Sequence, residues 1–141
     1  MPKRIVSRAR GHGSKTYQVR PKAYIYEVKY SNNLGNETGK VIKLLNSTAH
    51  TAPLAKVLYS RGSFYIPAFK GMVEGQEIKF GGEEIKEGNI MSLKNIPVKT
   101  QIYCIESRNQ DGGVFVKTAG NSATVTRKAN GKTFVLMPSK K

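Results

Sequence analysis

The sequence predicts an all-β fold, in which two small β-barrels follow an extended basic arm at the N-terminus. Three observations carry this prediction. Apolar runs of four to eight residues recur along the chain, glycine-containing turn pairs such as Asn130-Gly131 separate them, and no stretch shows the 3.6-residue apolar period of a helix. The length of 141 residues suits one ordinary domain or two very small modules that share a modest core.

Residues 1–22 are predicted to form the arm, because they are rich in glycine, serine, lysine and arginine and have scarcely any apolar periodicity. Seven of them are basic and none is acidic. The stretch from Gly11 to Lys15 lacks the preceding strand and the following helix of a phosphate-binding loop. We interpret its glycines as points where the backbone can approach RNA closely. The alternative is a disordered tail that makes no specific contact.

The first predicted strand is the stretch from Ala23 to Tyr30, where aromatic and branched residues alternate with other residues. The alternation places Tyr24, Tyr26 and Tyr30 on one face. Such a stripe is either part of the core, which we favour, or a platform for stacking nucleotide bases. The further predicted strands are Val41 to Leu45, Leu54 to Tyr59, Phe64 to Phe69, Glu77 to Phe80, Asn89 to Leu93, Gln101 to Glu106, Val114 to Thr118, Ala123 to Arg127 and Thr133 to Met137.

The chain is predicted to divide at Ile96-Pro97-Val98, because a proline between apolar neighbours cannot donate to a central strand ladder. The first module then covers residues 23–96 and the second covers residues 97–141. Their lengths fit an OB-like barrel followed by the N-terminal part of an SH3-like barrel, which would be incomplete.

The placement of the charge predicts a polyanionic partner. The formal net charge is +15, residues 112–141 carry six basic residues and no acidic ones, and residues 23–111 hold all nine acidic residues beside eleven basic ones. The two ends therefore carry nearly all of the excess. Nucleic acid is the commonest polyanion that compensates such self-repulsion. A membrane surface fits less well, because glycines and serines interrupt the apolar face that a membrane-seeking segment needs.

The segment from Lys117 to Lys128 is the second predicted RNA contact, because it combines cations with small, hydroxyl and amide side chains that suit phosphates and ribose hydroxyls. An ordinary hairpin with polar outer residues explains the same pattern. The arm and this segment together supply the candidate RNA-binding residues. They are Lys3, Arg4, Arg8, Arg10, His12, Lys15, Arg20, Lys117, Asn121, Ser122, Thr124, Arg127 and Lys128.

The sequence predicts no enzyme, because no set of nucleophile, base and orienting group emerges. His12 and His50 lack local partners at metal-ligand spacing, so neither a metal nor a cofactor is expected. Cys104, the single cysteine, is predicted to be a half-buried structural residue, and it favours a reducing compartment. With no apolar run of transmembrane length and no secretory signal, we expect a soluble cytoplasmic protein without membrane or small-molecule partners.

Five short motifs follow one another along the chain. They are Glu87-Gly88-Asn89, Ile96-Pro97, Ile102 to Glu106, Asp111-Gly112-Gly113 and Ala119 to Ala123. This series resembles the large-subunit ribosomal protein L-two family, and Ala52 to Ala55 also falls where the family has a similar stretch. The arm sequence RIVSRARGHGSKTY is similar to the short N-terminus of the family's archaeal and eukaryotic branch. The resemblance covers essentially the whole chain.

The resemblance implies an OB barrel followed by an SH3-like barrel, with the arm and the second barrel bound to large-subunit rRNA beside neighbouring ribosomal proteins. It implies a structural constituent that supports subunit assembly and the region around the peptidyl-transferase centre. Family members continue well beyond the length of this chain, so the second barrel is expected to be truncated and to expose a strand edge. The alternative is an RNA-binding translation or transcription factor that is not stably bound to the ribosome.

Overall fold

The computed structural model describes residues 5–141, which form two antiparallel β-sheets with very little helix. The all-β prediction is confirmed. The elements are α1 (Val6–Ala9), two 3-10 helices (Arg10–His12 and Lys15–Tyr17), β1 (Thr38–Leu45), β2 (Leu54–Tyr59), β3 (Gly62–Pro67), β4 (Glu77–Lys79), β5 (Gln101–Ile102), β6 (Ala123–Ala129) and β7 (Lys132–Leu136).

The first sheet has the strand order β3-β2-β1-β4 and encloses the main core on one of its faces. Alternation along the strands sends every second side chain inward. Val41, Val57 and Ile78 are completely buried there. Phe64 and Phe80 pack against each other in a tilted arrangement with their ring centroids 5.7 Å apart. This aromatic pair supplies much of the apolar area that holds the sheet together.

The second sheet has the strand order β5-β6-β7 and a much smaller core. The β6–β7 hairpin turns at Asn130-Gly131, where both residues have positive φ, 50° and 71°. Two positive φ angles match the twist of the flanking strands, and asparagine and glycine adopt them at the lowest cost. On the inner side of β6, Ala123 and Val125 are buried. The turn predicted at Asn130-Gly131 is confirmed.

Most of the predicted strands are confirmed, and β2 begins and ends at the predicted residues. The strand predicted from 101 to 106 is confirmed only for Gln101–Ile102. The strands predicted at 89–93 and 114–118 were wrong, because in each segment a single residue, Ile90 or Phe115, forms an isolated bridge. Left-handed backbone at Cys104 (φ 52°) and Val116 (φ 57°) bends the paired segments. Such a conformation is unusual for a branched residue such as valine and interrupts a ladder.

The strand predicted from 23 to 30 was wrong over most of its length. Residues 21–24 form a turn, and only Val28 and Lys29 form bridges, both with Tyr65. The next amide, that of Tyr30, donates instead to the carbonyl oxygen of Gly112 at 3.1 Å. Because consecutive backbone groups bond to different parts of the chain, no continuous ladder forms.

The three tyrosines of that segment do not share a face. Tyr24 is 66% exposed and lies edge-on to His50, with the ring centroids 5.8 Å apart. Tyr26 packs on Tyr65 at 4.9 Å between centroids. Tyr30 is half-buried, and burial, followed by the nearby carboxylate of Glu106, raises the pKa of its phenol. The core interpretation therefore fails for Tyr24.

The described part of the arm is not extended, because residues 6–17 form three short helical turns. Each turn has only three or four residues and no side-chain cap. Helices of this length have no stability of their own in water. The arm's candidate residues Lys3 and Arg4 lie outside the described residues.

Neither sheet closes into a barrel within residues 5–141. The OB-like and SH3-like assignments therefore stay predictions, and so do the arm at 1–22 and the modules at 23–96 and 97–141. Pro97 lies in the irregular segment between β4 and β5.

Two carboxylates brace the loop from Glu106 to Gly113. Asp111 accepts the backbone amides of Ser107 and Arg108 at 2.9 and 2.8 Å through Oδ2, and that of Gly113 at 3.1 Å through Oδ1. Glu106 accepts two further amides of the same loop, at 3.1 and 3.2 Å. Desolvation tends to raise the pKa of Asp111, but the three amide hydrogen bonds and the nearby Lys117 ammonium together lower it.

We predict that Gly113→Ala destabilises the protein more than Gly71→Ala does. Both glycines have nearly the same positive φ, 92° and 93°, so both variants carry the left-handed cost of about 1–2 kcal/mol. A Cβ at Gly71 meets open space, whereas one at Gly113 would lie 2.6 Å from Cys104 Sγ. The clash should add about 1–3 kcal/mol. Urea unfolding measures both losses, and equal losses would contradict this packing.

We predict that Asp111→Asn lowers the thermal midpoint at neutral pH and removes part of the acid sensitivity of the wild type. A carboxylate with a lowered folded pKa stabilises the fold above its unfolded pKa of about 3.9, and this contribution is lost as the pH falls through the folded value. The melting temperatures of both proteins, measured from pH 7 to pH 2, should therefore converge on acidification. Parallel curves would contradict the assigned role.

Candidate nucleic-acid interface

The cations of the arm point into solvent. All five described candidates there, Arg8, Arg10, His12, Lys15 and Arg20, are exposed. None makes an ion pair within 4 Å in the described part of the chain. The arm therefore presents charge that nothing in residues 5–141 neutralises.

Most acidic residues are engaged elsewhere in the fold. Five of the nine have internal partners. They are Glu37 with Ser60 and Arg61, Glu74 with the amide of Leu44, Glu84 with Lys79 and Lys86, and Glu106 and Asp111 with loop amides. Hydrogen bonds from Lys79 and then Lys86 lower the pKa of Glu84 to about 2. The middle of the sequence has a net charge near neutral, but most of its acidic side chains hold loops and strands in place within the fold.

Two cations of the β6–β7 hairpin are held by contacts with other groups of the protein. The guanidinium of Arg127 lies over the ring of Phe134, 4.3 Å from the centroid. Lys128 Nζ donates to the carbonyl oxygen of Lys94 at 2.6 Å. Both residues are exposed, so their charges still face solvent, while Thr124 is half-buried in the ladder. Orienting a cation in advance lowers the entropic cost of binding a phosphate.

The turn before β6 presents Asn121 and Ser122 at the surface. Both are exposed, and neither makes a side-chain hydrogen bond within residues 5–141. Gly120 has φ 73°, and the amide of Ala119 donates to Thr51 Oγ1 at 3.2 Å. The turn is thereby fixed against the loop between β1 and β2.

That β1–β2 loop was missing from the candidate residues, and it joins the base of the arm to this turn. Thr48 Oγ1 donates to the carbonyl oxygen of Ala23 at 3.4 Å, while Thr51 Oγ1 accepts the amide of Ala119 in the turn. His50 packs edge-on against Tyr24 and shares a hydrogen bond of 2.9 Å with Ser47. The loop's only signal in the sequence was its content of hydroxyl residues. The arm's base and the turn at 119–122 therefore meet on one surface, while Arg127 and Lys128 lie further along β6.

Lys117 differs from the other candidates because its head points into the protein. Its Nζ donates to the carbonyl oxygen of Val28 at 2.7 Å, and the side chain is half-buried. A charge-assisted hydrogen bond of this kind stabilises more than a neutral one does. The structure thus gives Lys117 a role in joining the two halves of the chain.

A cavity of about 800 Å³ is lined by none of the candidate residues. Tyr30, Tyr103 and Cys104 line part of it. Burial raises the pKa of the Cys104 thiol to about 11, with the carboxylates of Asp111 and Glu106 adding to it and Lys117 opposing them. Cys104 is buried, more completely than the half-buried position that was predicted for it. Within residues 5–141, no three His, Cys, Asp or Glu side chains are grouped to hold a metal, and no helix could cross a membrane.

Residues 86–141 match the family model for Ribosomal Proteins L2, C-terminal domain. The whole chain aligns with the large ribosomal subunit protein uL2 of Sulfolobus acidocaldarius at 34% identity and with that of Hyperthermus butylicus at 37%, covering 60% of each relative. The chain belongs to the ribosomal protein L2 family. This L2-family chain spans about 60% of the length of the curated relatives that it matches.

We predict that Lys117→Met destabilises this L2-family chain by about 1.5–3 kcal/mol, the usual contribution of a hydrogen bond to a charged group. Lys128→Met is the matched control, because Lys128 also donates to a backbone carbonyl but is exposed. It should change the unfolding free energy by less than about 0.5 kcal/mol. Chemical denaturation without RNA measures both, and equal losses would refute the joining role of Lys117.

Proposed function

We propose that this chain is a structural constituent of the large ribosomal subunit, located in the cytoplasm, that binds large-subunit rRNA beside neighbouring ribosomal proteins. Membership of the L2 family supports the ribosomal assignment. The observation that carries rRNA binding is the set of exposed arm cations without acidic partners in a chain of net charge +15. A polyanion relieves their mutual repulsion.

Binding would use two kinds of contact. The arm cations neutralise phosphates and release counterions, which provides affinity without reading the sequence. At the base of the arm, the free polar groups of Asn121 and Ser122 are positioned to bond phosphate or ribose oxygens. The short helical turns of the arm cost little to rearrange, so the arm can adapt to folded RNA.

The candidate residues Arg8, Arg10, His12, Lys15 and Arg20, with Asn121, Ser122, Arg127 and Lys128, form the main contact. Lys3 and Arg4 are included on the sequence alone. Anchoring rRNA in this way would support subunit assembly and the region around the peptidyl-transferase centre, as the family resemblance implies.

We predict that replacing Arg8, Arg10, Lys15 and Arg20 by glutamine weakens binding to large-subunit rRNA and flattens its salt dependence. Each lost phosphate contact lowers the slope of log K against log salt by about 0.7–0.9, so the slope should fall by roughly 3. The unfolding curve should not change, because all four side chains are exposed. Filter binding over a salt series measures the slope.

The matched control replaces Lys70, Lys79, Lys86 and Lys94 by glutamine, which removes the same formal charge from outside the proposed contact. Its slope should stay close to that of the wild type. Equal slopes for both variants would mean that any four lysines or arginines contribute equally, and this result would overturn the proposed site.

Sedimentation of extract through sucrose in high salt tests the alternative, because a transient factor would remain at the top of the gradient and an integral constituent would travel with the large subunit.

A further inference from the structure

The outer face of the four-stranded sheet carries a basic row that the sequence pattern does not reveal. Val41, Ala55 and Phe64 point into the core, so the residues that alternate with them point outward. A β-bulge between Val41 and Lys43 resets this alternation, because Ile42 is the extra residue in β1. The bulge turns Lys43 to the outer face.

The register then aligns three outward side chains across three strands. Lys43 of β1 is the cross-strand partner of Lys56 of β2, and Lys56 is the partner of Tyr65 of β3. Neighbouring strands lie about 4.8 Å apart, so the row is about 10 Å long. Directly opposed residues have their side chains on the same face and in contact range. We call Lys43, Lys56 and Tyr65 the basic row.

The two lysines of the row repel each other without compensation. Like charges placed directly opposite each other in a sheet are destabilising. Neither Lys43 nor Lys56 makes an ion pair within 4 Å in residues 5–141. The nearby carboxylate of Glu74 accepts the amide of Leu44 at 2.8 Å and pairs with neither lysine within that distance. The repulsion between Lys43 and Lys56 thus destabilises this part of the sheet, and a bound anion would relieve that repulsion.

An aromatic pair closes one end of the row. The ring of Tyr26 packs on that of Tyr65, with centroids 4.9 Å apart and planes tilted by 48°. The backbone fixes this pair, because the amide of Lys29 donates to the carbonyl oxygen of Tyr65 at 3.0 Å. Ile42 and Leu58, 46% and 48% exposed, flank the row with apolar surface. Cations beside aromatic rings and apolar edges are the usual surroundings of a single-stranded nucleotide.

We propose that the basic row and Tyr26 bind a single-stranded segment of rRNA, with a phosphate between Lys43 and Lys56 and an unpaired base stacked on Tyr26. This inference rests on the proposed function and adds to it a second contact, separate from the arm. A duplex suits the site less well, because its bases are already stacked on one another and cannot cover a tyrosine. The row therefore favours single strands.

The test uses the whole chain with an oligouridylate of about 12 nucleotides, within the site size of compact single-strand binders, and an RNA duplex of the same length. The variant Lys43→Gln/Lys56→Gln should lower the slope of log K against log salt by about 1.4 on the single strand. Without RNA, its melting temperature at low salt should equal or exceed that of the wild type. Tyr26→Leu should weaken binding about 5- to 150-fold with an unchanged slope, because tyrosine stacks but carries no charge.

The matched control is Lys79→Gln/Lys86→Gln, which removes two positive charges that are both paired with Glu84. Equal slopes for the two double variants, or an equal loss of duplex and single-strand binding, would overturn the basic row. The arm variant separates this outcome from the larger proposal. If the arm variant weakens binding to large-subunit rRNA while Lys43→Gln/Lys56→Gln does not, the proposed function stands without the second contact. If the wild type fails to bind rRNA, both proposals fail.

Discussion

Three consecutive residues, Val28 to Tyr30, connect the two sheets, and the rest of the structure depends on them. The carbonyl oxygen of Val28 accepts a hydrogen bond from Lys117 Nζ. The amide of Lys29 donates to the carbonyl oxygen of Tyr65 in the first sheet, and the amide of Tyr30 donates to that of Gly112 beyond β5. The backbone at residue 112 lies so close to Lys29 that it suits a glycine, because a Cβ at Gly112 would lie 2.0 Å from Lys29 Cγ. Each half has a modest core, so these bonds fix an arrangement that packing alone would specify weakly.

The distribution of carboxylates decides which cations are left for a partner. Glu106 and Asp111 hold a loop, Glu84 holds two lysines, and Glu37 holds Arg61. A carboxylate that accepts an amide hydrogen bond keeps its negative charge, but it is held in place and does not pair with a distant cation. The net charge of the middle segment therefore does not show where its positive surface lies. The basic row appears in a segment whose net charge is close to neutral, because only the strand register shows which charges face each other.

Local patterns predicted the features that local physics determines. Alternation and turn residues predicted β2, β6 and the Asn130-Gly131 turn, because the side-chain period and positive φ are properties of short stretches. The segment from 23 to 30 alternates equally well but forms no strand, because its hydrogen-bond partners lie in two distant parts of the chain. No sequence window contains those partners.

The candidate site shows the same limit. Exposure of the arm cations followed from their composition, but the inward turn of Lys117 depends on a carbonyl 89 positions away. The loop at Thr48 and Thr51 joined the site only when folding brought the arm's base and the turn at 119–122 against it. Pattern predicts which side chains are able to meet a phosphate. Long-range contacts decide which of them remain free to do so.

The arm and the basic row differ in how they can contribute to one binding event. The arm's turns are short and uncapped, so in the contact that we propose its cations follow an irregular backbone and provide affinity with little geometric selection. Lys43, Lys56 and Tyr65 stand on paired strands, so their spacing does not adapt to the ligand. A rigid contact rejects RNA of the wrong shape, whereas an adaptable contact accepts many shapes. A protein that must recognise one place in a large folded RNA needs both properties, and here they lie on separate parts of one chain.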